Sequence, residues 1–306
     1  MFELFDLKRY FPLAPEFSFD EAESRTFDEL WETTLAKGQG SEIEYYCEYS
    51  KHEFLTYLVQ RKGLLLHGSN FPDIKLLIPI RVTKDTTSYG NHDAVYACPD
   101  AIWAMFFAIV NRNLPKTSFV SSCRRAAGSD GRSKKFYFFS IHEDVPKSRR
   151  WAQGMVYVLP SDSFRQLFDE RACPVEEWAS TLPVSALAKL PVSVHDFPFL
   201  NSVQSHNDDW ILMEKRSGKV DARIYGSYVG RYASAPGLII EITKAGDSIF
   251  FQFPGYPPGV MWPVSETLFL LPPLNVRVGF DVNERKQATR LILKHKEREL
   301  IAQRVY

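Results

Sequence analysis

The sequence has few cysteines and lacks the spacings that bind metals. Its four cysteines are scattered without a CxxC pair, at Cys47, Cys98, Cys123 and Cys173. The seven histidines form neither an HxxxH nor an HExxH pair, which argues against a catalytic zinc ion. We therefore expect reduced thiols, as in a cytoplasmic protein, and no bound metal.

Long apolar runs and an excess of one charge are also missing. The longest unbroken apolar run, residues 101–110, is too short to span a bilayer, and the first eight residues mix acids with apolar residues. Lys+Arg and Asp+Glu balance at 37 each, which argues against a nucleic-acid partner. These features predict a cytoplasmic location without a membrane contact.

The first half of the chain alternates helical and strand patterns. Two Thr/Ser-x-x-Glu capping boxes, Thr26 to Glu29 and Ser50 to Glu53, predict helices that end near Gly38 and Gly63. The stretch from about Pro99 to Arg112 is apolar almost all round, so we expect a buried helix there. Ser161 is predicted to begin a further helix through Phe164 and Leu167.

A short buried strand, Leu64 to Leu66, is predicted to end at the turn His67-Gly68-Ser69. His67 and Ser69 offer hydrogen-bonding groups, and Gly68 would let a ligand approach the backbone. The alternative is a structural turn at a glycine. Further strands are predicted at 94–97, 136–140 and 155–159.

From Tyr228 onward short strands follow one another, with turns such as Gly-Tyr-Pro-Pro-Gly between them. This pattern predicts an antiparallel barrel or sandwich. The fold class is therefore α+β: a mixed domain over 1–205 with a helical part at 1–45, a linker at 206–223, and an antiparallel β domain at 224–306.

Two regions of the chain resemble known families in the order of their motifs. The region 45–195 resembles the ADP-ribosyltransferase fold of poly-ADP-ribose polymerases and diphtheria-type toxins, through His67-Gly68-Ser69, Val95-Tyr96-Ala97 and Glu176-Glu177-Trp178. The region 224–306 resembles the small β domain of penicillin-binding-protein-like serine hydrolases. That second resemblance is carried by Tyr228-Val-Gly-Arg-Tyr232, Phe253-Pro-Gly-Tyr-Pro, Pro263-Val-Ser-Glu-Thr and Ala302-Gln-Arg-Val-Tyr306.

The first resemblance implies NAD+ as substrate, with ADP-ribose passed to water or to an unknown protein or small-molecule acceptor. His67 would bind the adenosine ribose. The Gly68 backbone would bind the nicotinamide carboxamide, with help from Ser69, and Tyr96 would stack on the nicotinamide ring. The acid would be Glu177, with Glu176 as the alternative. Val175, two residues before Glu177, departs from the Glu-x-Glu or Gln-x-Glu form of toxins that modify arginine.

Three alternatives remain open. A non-enzymatic nucleotide- or protein-binding module would keep the fold without the chemistry. A serine hydrolase would need a GxSxG elbow or a Ser-x-x-Lys pair, and the sequence contains neither. A transferase of 2′-phosphate from RNA to NAD+ would need a dense basic groove, for which the sequence offers only the basic stretch 112–135.

Overall fold

The computed structural model describes two compact units. The described residues are 7–80, 93–114, 118–127, 132–169, 171–207, 220–235, 237–271, 274, 276–295 and 297–305. We call the first of the two units the barrel unit; it contains the described residues of 7–14, 118–144 and 202–305. The mixed unit contains those of 15–114 and 145–201.

The barrel unit is dominated by a closed eight-stranded antiparallel barrel, which confirms the β fold predicted for the end of the chain. Neighbours along the chain pair with one another, and the last strand pairs with the first, with Tyr232 opposite Arg304. The strands are β11 Gly230–Ala235, β12 Leu238–Ala245, β13 Ser248–Gln252, β14 Gly259–Pro263, β15 Leu268–Leu271, β16 Val276–Val282, β17 Ala288–His295 and β18 Arg298–Val305.

The interior of the barrel is filled by side chains. Val276, Val278 and Phe280 of β16 are buried, while Arg277 between them is exposed, as the alternation of a strand with one wet face requires. Phe280 stacks on Tyr228 with ring centroids 4.6 Å apart. An eight-stranded barrel is just wide enough for such filling, so this one has a packed core.

The same unit contains helix α1 Leu7–Tyr10 and a small second sheet. Strands β4 Phe119–Ala127 and β5 Ser133–His142 form an antiparallel hairpin, and β10 Gln204–His206 pairs with β5 in parallel. The hairpin groups with the barrel unit, although the sequence pattern assigned it to the first domain. The predicted linker 206–223 lies mostly outside the described residues, so the predicted domain boundaries stay a prediction.

The helices of the mixed unit are α2 Glu21–Ala36, α3 Lys51–Lys62 and α4 Ala101–Ile109. The Ser50–Glu53 capping box and the left-handed Gly63 at the end of α3 are confirmed. The Thr26–Glu29 box is wrong, since α2 begins earlier, at a capping box formed by Asp20 and Glu23. Thr26 lies inside the helix, and its hydroxyl donates to the carbonyl of Ala22.

Two sheets complete the mixed unit. Their strands are β1 Ser41–Glu42, β2 Leu65–Ser69, β3 Val95–Ala97, β6 Gly154–Leu159, β7 Arg165–Phe168, β8 Pro174–Ser180 and β9 Ala188–Val192. One sheet has the order β1-β9-β6-β2 and the other β3-β8-β7.

Two local predictions need correction here. The strand β2 runs through His67 and Gly68 to Ser69, so these residues pair with β6 instead of forming a turn. The helix predicted after Ser161 is absent: Phe164 is buried in the core, and Leu167 lies in β7, a strand that pairs with β8. A capping serine does not distinguish a helix start from a turn that leads into a strand.

The helix α4 is buried on nearly all sides, as its apolar sequence predicts. Among the described residues, no helix combines the length and the apolar composition needed to cross a membrane.

Candidate functional site

The site predicted from the sequence lies where β2 approaches β3. Leu66 exchanges both backbone hydrogen bonds with Cys98, each 2.9 Å long. Successive residues of a strand direct their N–H and C=O groups to opposite edges, so the peptide groups of Gly68 face the same edge as those of Leu66. The backbone of Gly68 is therefore directed toward the β3 side, away from β6.

His67 is held in one protonation state. Its Nδ1 lies 2.7 Å from the carbonyl oxygen of Tyr96. A carbonyl can only accept, so Nδ1 carries the proton and Nε2 is left as an acceptor. Burial lowers the pKa of His67 to about 4, the carbonyl bond offsets only part of this, and the charge of Arg112 lowers the pKa slightly further. The ring is neutral at pH 7.

Gly68 is required by the packing of helix α4. A β-carbon at this position would lie 2.0 Å from the carbonyl oxygen of Ala104 and 2.7 Å from the backbone nitrogen of Ala108. The space in front of the Gly68 α-carbon is thus filled by α4, and the expectation that it admits a ligand is corrected. What Gly68 can offer a ligand is the N–H and C=O at the strand edge.

Arg112 and Asn70 join the end of α4 to β2. Arg112 Nη2 donates to the carbonyl oxygens of Gly68, at 2.9 Å, and Phe107, at 2.7 Å. Asn70 donates to the carbonyl of Ala108 and accepts from the backbone N–H of Arg112. In the sequence, Arg112 stands at the end of the predicted apolar helix and within a basic run, and no motif marks Asn70, although it directly follows His-Gly-Ser.

Ser69 has a structural role. It is 5% exposed, and its hydroxyl accepts from the backbone N–H of Phe71 at 3.2 Å. This bond shapes the turn that follows β2. The turn is also held by Tyr157, whose hydroxyl accepts from the N–H of Ile74 and donates to the carbonyl of Phe71.

Tyr96 and Glu177 lie near each other where β3 pairs with β8. Tyr96 pairs with Ala179, and Glu177 is two residues before Ala179 on β8. In a regular antiparallel pair such diagonal neighbours lie within about 7 to 8 Å of each other. The register between β7 and β8 shifts opposite Leu167, so Glu176 and Glu177 lie in an irregular part of β8.

The side chains of Tyr96 and His67 are on opposite faces. Val95 and Ala97 pack in a core cluster with Tyr157, whose ring centroid is 6.4 Å from that of His67. Tyr96 lies between Val95 and Ala97 on β3 and therefore leaves the other face. The structure joins His67 and Tyr96 through the Tyr96 carbonyl group instead of through a shared side-chain pocket.

One pair resembling a nucleophile and its base occurs in the barrel unit. Ser140 Oγ lies 2.8 Å from His206 Nδ1. Ser140 is fully buried and His206 is 7% exposed, so a substrate cannot reach the hydroxyl. No local sequence pattern marks this pair, because β5 and β10 are distant along the chain.

Together these features define a mixed α+β protein with a polar strand edge in one unit and a closed eight-stranded barrel in the other. Penicillin-binding protein 4* of Bacillus subtilis (strain 168) is 31% identical over 71 residues, or 23% of this chain. Those residues span 16% of that protein, so the similarity is partial. No family model matches the chain, and no solved structure matches it.

Proposed function

We propose that the mixed unit binds NAD+ and cleaves the bond between nicotinamide and ribose, passing ADP-ribose to water or to an unknown acceptor. The observation that carries the proposal is the edge of β2. A neutral His67 with an accepting Nε2 stands beside the edge peptide of Gly68. A carboxamide both donates and accepts, which matches the Gly68 N–H and the second lone pair of the Gly68 C=O, whose first lone pair accepts from Arg112.

The carboxylate is assigned to Glu177 because it is two residues before Ala179, the residue that pairs with Tyr96. In hydrolysis, the bond from the ribose carbon to the nicotinamide nitrogen breaks, and nicotinamide leaves with the electron pair. The sugar gains oxocarbenium character, and a water oxygen then bonds to the carbon as a proton is released. A fixed carboxylate stabilises that positive charge, and the Tyr96 ring offers a π face to the cationic nicotinamide.

The barrel unit is proposed to be a small β domain of the penicillin-binding-protein type that supplies an outer recognition surface. The closed barrel supports this assignment. Because the interior is filled, recognition would use the outer face or the loops.

The test is nicotinamide release from NAD+ by wild type, His67→Ala and Glu177→Gln, with Glu176→Gln as the matched control. Glu177→Gln should lower the rate by about 100-fold or more, the scale on which a group that stabilises transition-state charge acts. Glu176→Gln makes the same chemical change at the neighbouring position and should retain most of the activity. Circular dichroism and thermal melts check that all variants fold.

Three results would contradict the proposal or a part of it. Equal losses in both glutamate variants would remove the assignment of Glu177. If wild type releases no nicotinamide over a range of pH and salt, and NAD+ gives no thermal shift, NAD+ chemistry is excluded. Binding of NAD+ or ADP-ribose without any release would identify a non-enzymatic nucleotide-binding module.

A further inference from the structure

Arg112 is an exposed arginine that is anchored at one end of its guanidinium group. Its Nη2 donates to the carbonyl oxygens of Gly68, at 2.9 Å, and Phe107, at 2.7 Å, and its Cζ lies 5.9 Å from the centre of the Phe107 ring. The N–H groups on Nε and Nη1 have no hydrogen-bond partner in the described part of the chain. The guanidinium is therefore held in place with donors left over for a ligand.

Arg149 lies beside Arg112 because their two segments are hydrogen-bonded to each other. The backbone N–H of Asn111 donates to the carbonyl of Arg150 at 2.8 Å, and the Asn111 side chain donates to the carbonyl of Arg149 at 2.9 Å. Arg112 directly follows Asn111, and Arg149 directly precedes Arg150. The backbones of Arg112 and Arg149 are therefore neighbours.

No acidic side chain offsets these positive charges. Lys147, two residues before Arg149, is exposed as well. Within the residues that the structure describes, none of the three cations forms an ion pair with a carboxylate. The three segments that meet here contain no Asp or Glu: 63–72, 107–114 and 145–154. Neighbouring like charges repel one another, so a bound anion would stabilise this part of the mixed unit.

The number and kind of the donors indicate which anion fits. A carboxylate brings a single charge, which one arginine neutralises. A phosphate group brings a charge of about −1.5 to −2 at pH 7 and several acceptor oxygens, so it matches more than one cation. Arginine N–H groups form strong, charge-assisted hydrogen bonds with phosphate.

We propose that Arg112, Arg149 and Lys147 form a binding site for a phosphate group beside the end of α4. Arg112 supplies fixed donors, and the other two side chains supply charge. The inference goes beyond the proposed function and does not rest on cleavage of NAD+. The phosphate can be free or can belong to a larger molecule.

The test is a titration with inorganic phosphate at pH 7.5, followed by ¹H–¹⁵N NMR. Sodium chloride keeps the ionic strength constant, so that general screening does not change. The backbone N–H resonance of Arg112 in wild type should shift and reach saturation. Arg112→Gln should weaken the affinity by about 10-fold and Arg149→Gln by about 3-fold or more.

Two variants guard against a trivial loss of folding. The Arg149 side chain makes no hydrogen bond with any residue of the described ranges, so Arg149→Gln leaves the anchoring contacts of Arg112 intact. Arg61→Gln is the matched control, because Arg61 is an exposed arginine in the last turn of α3, before β2 begins. It should bind phosphate as wild type does.

His67 provides a second measurement in unmodified protein. The charge of Arg112 contributes to the lowered pKa of His67, although burial is the main cause. A phosphate bound at Arg112 would offset that charge, so the pKa of His67 should rise on saturation. Arg112→Gln should show a raised pKa without phosphate and no further rise with it. Histidine ring ¹³C shifts, recorded against pH, measure both values.

Two results would overturn the inference: no saturable shift in wild type at constant ionic strength, or equal affinities in wild type, Arg112→Gln and Arg149→Gln. Competition with ADP-ribose identifies the source of the phosphate. Displacement of inorganic phosphate would mean that the site receives the phosphates of a nucleotide, whereas simultaneous binding would mean that free phosphate is a separate ligand.

The outcomes for this site and for the proposed function are separable. Phosphate binding that depends on Arg112 and Arg149, without nicotinamide release from NAD+, would keep the site and reject the enzyme. Nicotinamide release by a protein that binds no phosphate would do the reverse.

Discussion

At the residue scale, the charge state of His67 depends on a contact that the sequence does not show. The motif His-Gly-Ser predicted a polar group near a strand end, and the structure places His67 within β2. The bond to the Tyr96 carbonyl comes from a strand 29 positions along the chain. Local pattern could therefore predict the residue, but not its tautomer or its pKa.

This histidine should make stability depend on pH. Its pKa of about 4 in the folded protein lies below the ordinary 6.5, so between these values the unfolded chain binds a proton that the native protein does not. The contribution of neutral His67 to the free energy of unfolding is complete above about pH 6.5 and is lost as the pH falls toward 4. The free energy of unfolding changes by up to about 1.4 kcal/mol per pH unit in this range.

Urea unfolding at pH 7.5 and 5.5 measures this effect in wild type and in His67→Gln. The variant should lose less stability on acidification. Burial also lowers the pKa of His52, but His52 is present in both proteins, so the difference between them isolates His67. An identical pH dependence in the two proteins would show that His67 titrates normally.

At the scale of elements, helix α4 depends on two glycines in different strands. Gly68 of β2 and Gly154 of β6 both lie against its backbone, and a β-carbon on Gly154 would be 1.9 Å from the carbonyl oxygen of Ala108. The apolar sequence of α4 predicted its burial correctly. Which glycines it contacts depends on strand pairing, which a local pattern does not contain.

Gly68→Ala and Gly154→Ala should each destabilise the protein by about 3 kcal/mol or more, because the added methyl group meets helix backbone that cannot rotate away. Gly226→Ala is the control, since a β-carbon there meets no atom within 4 Å. It should be neutral or stabilising by a few tenths of a kcal/mol. Chemical unfolding curves give the three values, and a mild effect at Gly68 would mean that α4 can shift.

The start of α2 shows that a capping-box pattern alone does not locate the first residue of a helix. Asp20–Glu23 and Thr26–Glu29 both match the general form, and only the first caps the helix. Asp20 accepts from the N–H of Glu23, and the Glu23 carboxylate accepts from the N–H of Asp20, both at 2.9 Å. Sequence pattern alone could not choose between two boxes six residues apart.

Asp20→Ala should therefore cost about 1 kcal/mol, the usual effect of losing a cap. Thr26→Ala places a better helix former inside α2 and should be neutral or slightly stabilising. Thermal melts of the two single variants decide between the boxes. A lower melting temperature for Thr26→Ala than for Asp20→Ala would instead indicate that the helix begins at Thr26.

At the scale of the whole molecule, short-range patterns predicted the barrel but not the grouping of segments. Alternation of buried and exposed residues, as from Val276 to Phe280, predicts a strand whatever its place in the fold. Eight such strands in series can form a closed barrel. The grouping of β4 and β5 with the barrel unit rests on contacts between distant segments. The basic stretch 112–135 runs through these two strands, but it does not indicate which unit they join.

The four cysteines can report on the two units separately. All are free thiols; Cys173 is exposed and Cys47 half-buried, while Cys98 in the mixed unit and Cys123 in the barrel unit are buried. Iodoacetamide should label Cys173 first in native protein and Cys47 more slowly. Cys98 and Cys123 should react only when their units open.

Mass spectrometry over a urea series then follows each unit by its own thiol. Different midpoints for Cys98 and Cys123 are expected, because the units have separate cores. Coincident midpoints would show that the units unfold together. Rapid labelling of either buried thiol without urea would contradict the burial.

The interleaving of the two units has a consequence for synthesis on the ribosome. Every segment of the mixed unit has been made once residue 201 is reached, whereas β4 and β5 of the barrel unit are made before the barrel strands. At ordinary translation rates, the remaining residues up to 305 take roughly 5 to 20 s. During that interval every segment of the mixed unit has been made, while the β4–β5 hairpin still lacks the barrel strands of its unit. We expect the hairpin to be most open to chaperone binding at that stage.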